Sequence, residues 1–401
     1  MRTLRMALLP LALAAAAAVH ADEPASLADA LTGGKVTLDT RLRAENVSDD
    51  AFEKDAGALT WRSRVGYQTA PWFGFTLFAE LEDVRALDEG YNSTANGRTQ
   101  YPVVADPEGS EWNQAFIRWE PVAGSQFTIG RQRIILDNAR FFGNVGWRQN
   151  EQTFDAAAFT QTFGKNTSAR YYYLQDAHRV FGNANPNPLL AEYDIGGHVL
   201  NVSHAFGPAT LVGYGYFVEN EDLPLTSNRI VGARLTGAHA LDEPWKLLYA
   251  MEFAQQADWR GGAANIDADY MLFEFGAARG AYSGKYSYEV LGSDGHYAFQ
   301  TPFATLHAFN GWADKFLTTP VNGLVDSFVT FAGPIGKLQW ISSFHQYSAD
   351  HGGADYGTEF DASLSYAFKQ RFTALAKIAH YEADDFARDT DKIWLSLEYK
   401  Y

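Results

Sequence analysis

Residues 392–401 read KIWLSLEYKY and alternate apolar with polar side chains up to the last residue. Because side chains of a strand point alternately to its two faces, Ile393, Leu395 and Leu397 share an apolar face with Tyr401. Ten residues are about the length that a tilted strand needs to cross a bilayer. The stretch therefore predicts a membrane-spanning β-strand.

The other end of the chain has the features of an export signal. Arg2 and Arg5 precede an apolar run over 6–19, and the small residues that follow predict cleavage after Ala21. This run is too short for a membrane anchor, which needs about 20 apolar residues. We therefore divide the chain into a signal peptide, residues 1–21, a periplasmic N-terminal lead-in, residues 22–34, and one outer-membrane β-barrel, residues 35–401.

The composition suits such a barrel. Apolar residues make up an ordinary 46%, but aromatic residues reach 15%, as expected when apolar side chains are spread along many strands between two aromatic girdles. The formal net charge is −16, and losing the two arginines of the signal would leave −18, which argues against a nucleic-acid partner. The absence of cysteine excludes disulfides and a lipid anchor on cysteine.

The connections between the predicted strands sort by length. Every second connection is a short turn, as at 70–72, 207–208 and 333–336, and the connections between these turns are mostly long and polar. An even-stranded outer-membrane barrel has this alternation, with both chain ends on the short-turn side. We predict an all-β fold, a transmembrane antiparallel β-barrel of about 18 strands with short periplasmic turns and longer extracellular loops, in the outer membrane of a Gram-negative bacterium.

Charged side chains fall on the predicted inner face of the N-terminal strands. Alternation directs seven of them to the lumen: Arg41, Arg43, Arg62, Arg64, Glu80, Glu82 and Arg118. An arginine facing lipid costs about 2–4 kcal/mol at the bilayer midplane, so these charges must face water or one another. Two interpretations follow: arginines and carboxylates pair within the wall, or surplus arginine faces the pore and sets its selectivity.

Two long loops combine aromatic residues with a few charges. The third, with its flanks, spans 130–155, and the seventh runs through 298–316. Because Phe and Trp are usually buried, we expect both loops to pack inside the barrel mouth. Their candidate pore-lining residues are Arg131, Arg133, Arg140, Arg148, Asp155, His307, Asp314 and Lys315. Arg131 reaches the lumen only if a β-bulge forms at Gly130, and otherwise lies above the membrane band.

These loops also carry a family resemblance. GRQ at 130–132 enters a loop that ends in TFD at 153–155, and HAFNGWADKF occupies 307–316. With these motifs the mature chain resembles the alginate-export family of outer-membrane barrels. The resemblance implies a monomeric eighteen-stranded barrel, narrowed by inward loops, with an arginine-rich constriction that passes a polyanionic sugar chain. It also implies the anion-contacting residues, which would be Arg131, Arg133, Arg140 and Arg148.

The sequence thus predicts an outer-membrane channel for anionic solutes, including export of an anionic polysaccharide such as alginate, with a general diffusion porin as the alternative. A hydrolase and a structural or adhesive barrel are alternatives of another class. No Gly-x-Ser-x-Gly motif occurs, so no enzyme is expected. We expect neither cofactor nor metal site, although the acidic loop 382–391 could gather Ca²⁺.

The expected partners follow from this location. They are outer-membrane lipid and lipopolysaccharide, the barrel-assembly machinery, and an anionic sugar or small anion as the solute. We expect a monomer with no nucleic-acid partner.

Overall fold

The computed structural model describes residues 24–401, so the predicted signal peptide lies outside the described residues. Eighteen antiparallel strands form one sheet. The strands are β1 Lys35–Asp49, β2 Ala56–Gln68, β3 Phe75–Gly90, β4 Gly109–Val122, β5 Ser125–Gln132, β6 Thr153–Phe163, β7 Thr167–His178, β8 Glu192–Phe206, β9 Ala209–Asn220, β10 Asn228–Ala240, β11 Trp245–Asp258, β12 Asp267–Arg279, β13 Tyr282–Leu291, β14 Leu324–Ile335, β15 Leu338–Ser348, β16 Asp355–Phe368, β17 Phe372–Ala383 and β18 Thr390–Lys400. Each strand pairs with its neighbours along the chain, and β18 pairs with β1. The sheet is therefore a closed barrel, as predicted.

The described residues also form four short helical segments. They are the α-helices α1 Leu27–Thr32 and α2 Pro188–Ala191 and the 3-10 turns Pro224–Thr226 and Leu306–Ala308. The Ser26 hydroxyl caps α1 by accepting from Asp29 N at 3.1 Å. Ala30 O accepts from Ala70 N at 3.0 Å, which ties α1 to the turn between β2 and β3. No helix within residues 24–401 is long and apolar enough to cross a membrane.

The two faces of the barrel wall differ as the alternation predicts. In β2, Trp61 and Val65 are 49% and 51% exposed, whereas Arg62 and Arg64 are 1% and 4% exposed. Apolar side chains such as Ile393 in β18 are likewise exposed on the outside of the barrel. A barrel in a bilayer presents such a surface to the hydrocarbon, and its charged residues face inward.

Long loops and short turns lie at opposite ends of the barrel. The loops used below are loop 2, residues 91–108; loop 3, residues 133–152; loop 4, residues 179–191; and loop 7, residues 292–323. Loops 3 and 7 fold into the barrel, where Phe142 and Phe299 are fully buried. The Trp147 ring of loop 3 stacks on the His307 ring of loop 7 with centroids 4.6 Å apart. The predicted inward packing of both loops is therefore confirmed.

Candidate functional site

Four arginines form one cationic patch on the inner wall, which we call the arginine patch: Arg41 and Arg43 in β1, and Arg62 and Arg64 in β2. Arg41 lies directly across from Arg62 in the register of the two strands. All four side chains are at least 92% buried, so their charges must be compensated inside the protein.

Loop 3 lies on the arginine patch and is bound by it. The Arg41 guanidinium donates to Gln149 Oε1 at 2.9 Å, to Gly146 O at 3.1 Å and to Arg148 O. Arg43 donates to Trp147 O in the same stretch. Backbone carbonyl groups of the loop thus satisfy the inner-wall arginines and fix the path of loop 3.

Carboxylates neutralise the other three members of the arginine patch. Arg43 pairs with Asp106 of loop 2, Arg62 with Asp39 of β1, and Arg64 with Glu82 of β3. Burial alone would raise the pKa of Asp106, but Arg43 and Arg148 hold it below its ordinary value. Most charged side chains in this region are therefore paired within the wall and the loops. This agrees with the interpretation from the sequence in which arginines and carboxylates pair within the wall.

Arg133 belongs to the same network but is more exposed. Its Nη2 lies 2.7 Å from Glu80 Oε1, and its guanidinium also pairs with Glu151. Burial would raise the pKa of Glu151, but Arg64 and Arg133 lower it to about 2. Because the Arg133 side chain is 29% exposed, part of it remains accessible to solvent.

Two further loop 3 arginines connect loop 3 to loop 7 and the wall. Arg140 Nε donates to Glu289 Oε1 at 2.8 Å, and Arg140 Nη2 donates to Asn310 Oδ1 at 3.0 Å. Arg148 binds the carboxylates of Glu45 at 3.1 Å and Asp314 at 2.9 Å. Both arginines are at least 92% buried and paired, so they act as clamps between elements.

Loop 7 docks through the motif at 307–316. The Trp312 and Ala313 N–H groups donate to Asp361 Oδ2 at 3.2 Å and Glu359 Oε1 at 2.6 Å in β16. Lys315 Nζ donates to Asp49 Oδ2 at 2.7 Å. The main role of the motif residues is therefore to attach loop 7 to the barrel wall.

His307 provides a contact of loop 7 with β17. Lys377 Nζ lies 2.7 Å from His307 Nε2, and His307 Nδ1 lies 2.7 Å from Asp314 Oδ1. With the Lys377 amino group as the donor, His307 Nε2 accepts and the Nδ1–H donates to Asp314. Burial lowers the pKa of His307 well below its ordinary value, against the attraction of Asp314, and Lys377 and Arg148 lower it further. The contact therefore requires a neutral imidazole.

This geometry predicts that acid loosens loop 7. Protonation of His307 Nε2 removes its acceptor and places two cations 2.7 Å apart. The contact is fully present above the ordinary histidine pKa of about 6.5 and weakens as the pH falls below it. Single-channel current noise and protease cleavage in loop 7 should therefore rise as the pH falls from about 6.5 to 5. His307→Gln keeps an acceptor that does not titrate, so an equal rise in that variant would contradict the prediction.

The structure corrects the expected pore-lining position of Arg131 and Asp155. The register of β4, β5 and β6 runs through Gly130 without a shift, so the expected bulge there is absent. Arg131 therefore shares the outer face with Ile129, which is 64% exposed, whereas Gln132 on the opposite face is buried. Arg131 binds Asp155 across that outer face at 2.9 Å.

Two lumen-facing arginines lack a carboxylate partner. Among the described residues, no carboxylate lies within 4 Å of the guanidinium of Arg118 in β4 or Arg170 in β7. Arg118 lies between Thr76 and Thr128 in the sheet, both buried on the inner face, and its Nε has no hydrogen-bond partner. The sequence prediction included Arg118 but omitted Arg170, which the alternation of β7 places on the inner face with Leu174.

Loop 3 contributes to the walls of two cavities. The inner cavity, of about 580 Å³, is lined by Arg170, Arg234, Asn201 and residues 135–138 of loop 3, where the carboxylate of Asp137 interacts electrostatically with both arginines. The outer cavity, of about 760 Å³, lies among the long loops, and His307, Asp314 and Lys315 are in its wall. Both contain space for a small solute.

Comparison with solved structures supports this architecture. OccAB2 of Acinetobacter baumannii superposes with a TM-score of 0.75 at 14% identity, covering 93% of this chain and 99% of that chain. Pseudomonas aeruginosa OccK9 (OpdG) gives 0.70 at 13% identity over 92% and 99%, and P. aeruginosa OpdK with vanillate gives 0.69 at 13% identity over 91% and 98%. No protein-family model and no curated protein matches the sequence, so the resemblance to the alginate-export family has no further support. The chain has the eighteen-stranded barrel fold of the outer-membrane porins of Gram-negative bacteria.

Proposed function

We propose that the protein is a passive outer-membrane channel for small anionic solutes. The observation that carries this proposal is a pair of lumen-facing arginines, Arg118 and Arg170, that have no carboxylate within 4 Å among the described residues. A guanidinium group withdrawn from bulk water still requires an anion or other acceptors. An anion that passes through the lumen can supply these hydrogen-bond acceptors. The shared fold with channels, one of them solved with the small carboxylate vanillate, adds support.

Local charge, rather than the formal net charge of −16, would set the selectivity. Acidic residues such as Asp384 and Asp385 lie in the loop between β17 and β18. A Debye length of about 8 Å at physiological salt screens such charges from a deeper lumen. The proposed mechanism is that Arg118 and Arg170 replace part of the hydration of an anion, while weak binding permits its release.

Export of a polysaccharide has less support than diffusion of small solutes. Of the four arginines that the family resemblance implied, Arg131 lies on the outer face, and Arg140 and Arg148 are buried in ion pairs. Arg133 alone is both inward and partly exposed. A general diffusion porin therefore fits better than a conduit that coordinates successive charges of a polymer, and we propose a channel rather than an enzyme.

Uptake into proteoliposomes tests the proposal. Gluconate and glucosamine have similar size and opposite charge, so an anion-preferring channel should admit gluconate several times faster. A hexamer of mannuronate should enter far more slowly than gluconate because loops 3 and 7 occupy the mouth. Faster entry of glucosamine would overturn the proposed charge preference, and rapid entry of the hexamer would restore the polysaccharide hypothesis.

A further inference from the structure

Loop 4 places Arg179 in the wall of the outer cavity. Among the residues that the structure describes, no carboxylate lies within ion-pairing distance of its guanidinium group. Burial lowers the pKa of Arg179, and no carboxylate offsets this effect. The other cations of the same wall are engaged: Arg148 with Glu45 and Asp314, Lys315 with Asp49, and Lys392 with Asp314.

Two aromatic rings hold the Arg179 guanidinium in place. Its Cζ lies 5.0 Å from the centroid of Phe181 and 4.5 Å from that of Tyr193. One edge donates from Nη1 to Leu189 O at 2.8 Å, and the backbone N–H of Arg179 donates to Ala191 O at 2.9 Å. Cation–π contacts use the faces of the guanidinium plane, so N–H groups at its edge remain for a ligand.

The rest of the outer cavity is mainly apolar. Its wall includes Val103, Val180, Leu225, Phe303 and Leu317. A polyhydroxylated anion would lose hydration there without enough partners, whereas an apolar body would be stabilised by contact with these side chains. The inner cavity differs, because the amide and hydroxyl groups of residues such as Asn201 and Ser203 line it.

We infer that the outer cavity is a capture site for monocarboxylates with an apolar body, in which Arg179 binds the carboxylate. This inference rests on the proposed function, because the captured solute would next meet Arg118 and Arg170. A carboxylate can accept two parallel hydrogen bonds from a guanidinium edge, which adds specificity to charge attraction. Loop 4 would therefore select among anions before the lumen discriminates by charge.

Planar-bilayer recording of the full-length protein tests the site with benzoate and gluconate added on the loop side in KCl. Benzoate should reduce the open-channel current at a concentration about tenfold lower than gluconate, the factor expected from one charge-assisted contact and apolar burial. Arg179→Gln should weaken the benzoate effect about tenfold, and Arg179→Lys should weaken it less because the charge remains. Arg98→Gln is the matched control, because Arg98 is an exposed loop arginine paired with Glu89 at 2.8 Å.

The outcomes separate the capture site from the proposed function. Loss of the benzoate effect in Arg179→Gln with retained anion preference supports both. An unchanged benzoate effect in Arg179→Gln, or equal effects of benzoate and gluconate on the unmodified protein, would overturn the capture site. Absence of anion preference in the unmodified protein would overturn the proposed function whatever Arg179→Gln does.

Discussion

Replacing Arg148 by methionine is expected to release loop 3 from the barrel wall and to raise the single-channel conductance. Arg148 is 7% exposed and bridges Glu45 of β1 to Asp314 of loop 7. Without it, Glu45 keeps Arg43 at 3.8 Å and Asp314 keeps Lys392 at 2.8 Å. Removing one partner of a buried ion pair costs about 3–5 kcal/mol when the other charge is left uncompensated, so even part of that cost is enough to change the population of a docked loop.

Limited trypsin digestion of the folded protein provides a second measurement for Arg148→Met. The bond after Arg140 is protected in the docked loop, because Arg140 is 2% exposed, and should become cleavable once the loop is released. Arg98→Met removes an exposed pair and should change neither conductance nor cleavage. Wild-type conductance and protection in Arg148→Met would show that loop 3 is held by other contacts.

Replacing Gly311 by valine should prevent loop 7 from docking. Gly311 has a φ of +83°, and an added Cβ would collide with Glu359 Oε2 and Tyr347 Oη. The loop would have to move away, and Glu359 and Asp361 would then lose the amide groups of Trp312 and Ala313. Unsatisfied buried acceptors cost about 1–3 kcal/mol each, so we expect a lower thermal midpoint in detergent and higher current noise.

Gly353 offers a matched control for this substitution. Its φ is +73°, but an added Cβ would have no atom of the described residues within 4 Å apart from the glycine and its two chain neighbours. Gly353→Val therefore carries only the backbone cost of a left-handed conformation, about 1–2 kcal/mol. If both variants shift the thermal midpoint equally, the close approach of Gly311 to Glu359 does not control docking.

The fold follows from the sequence because the signals that specify it are local. Alternation in strands such as β18 and the sorting of short turns from long loops depend only on neighbouring residues. The same alternation of side chains places Arg62 and Arg64 on the inner face of β2, as the structure does. The apolar and aromatic content of loops 3 and 7 was sufficient to predict that they fold inward.

The ion-pair partners within the site could not be predicted in the same way. Arg43 meets Asp106, a residue of loop 2 that alternation does not place, and Arg140 meets Glu289. Such contacts depend on how loops fold inside the barrel, so the arginines held in pairs could not be separated from those left free. For Arg179 the sequence did indicate an arginine without a carboxylate in its own loop, because Arg179 is the only charged residue within 179–191.

The most direct test of the central claim is the reversal potential in a KCl gradient, measured for the unmodified protein and for the double substitution Arg118→Gln with Arg170→Gln. We expect anion preference in the unmodified protein, because these two arginines face the lumen and have no carboxylate within 4 Å in the described part of the chain. The double substitution should move the reversal potential toward cation preference, whereas Arg98→Gln should leave it unchanged. Cation preference in the unmodified protein, or a reversal potential that the double substitution does not change, would contradict a small-anion channel controlled by these residues.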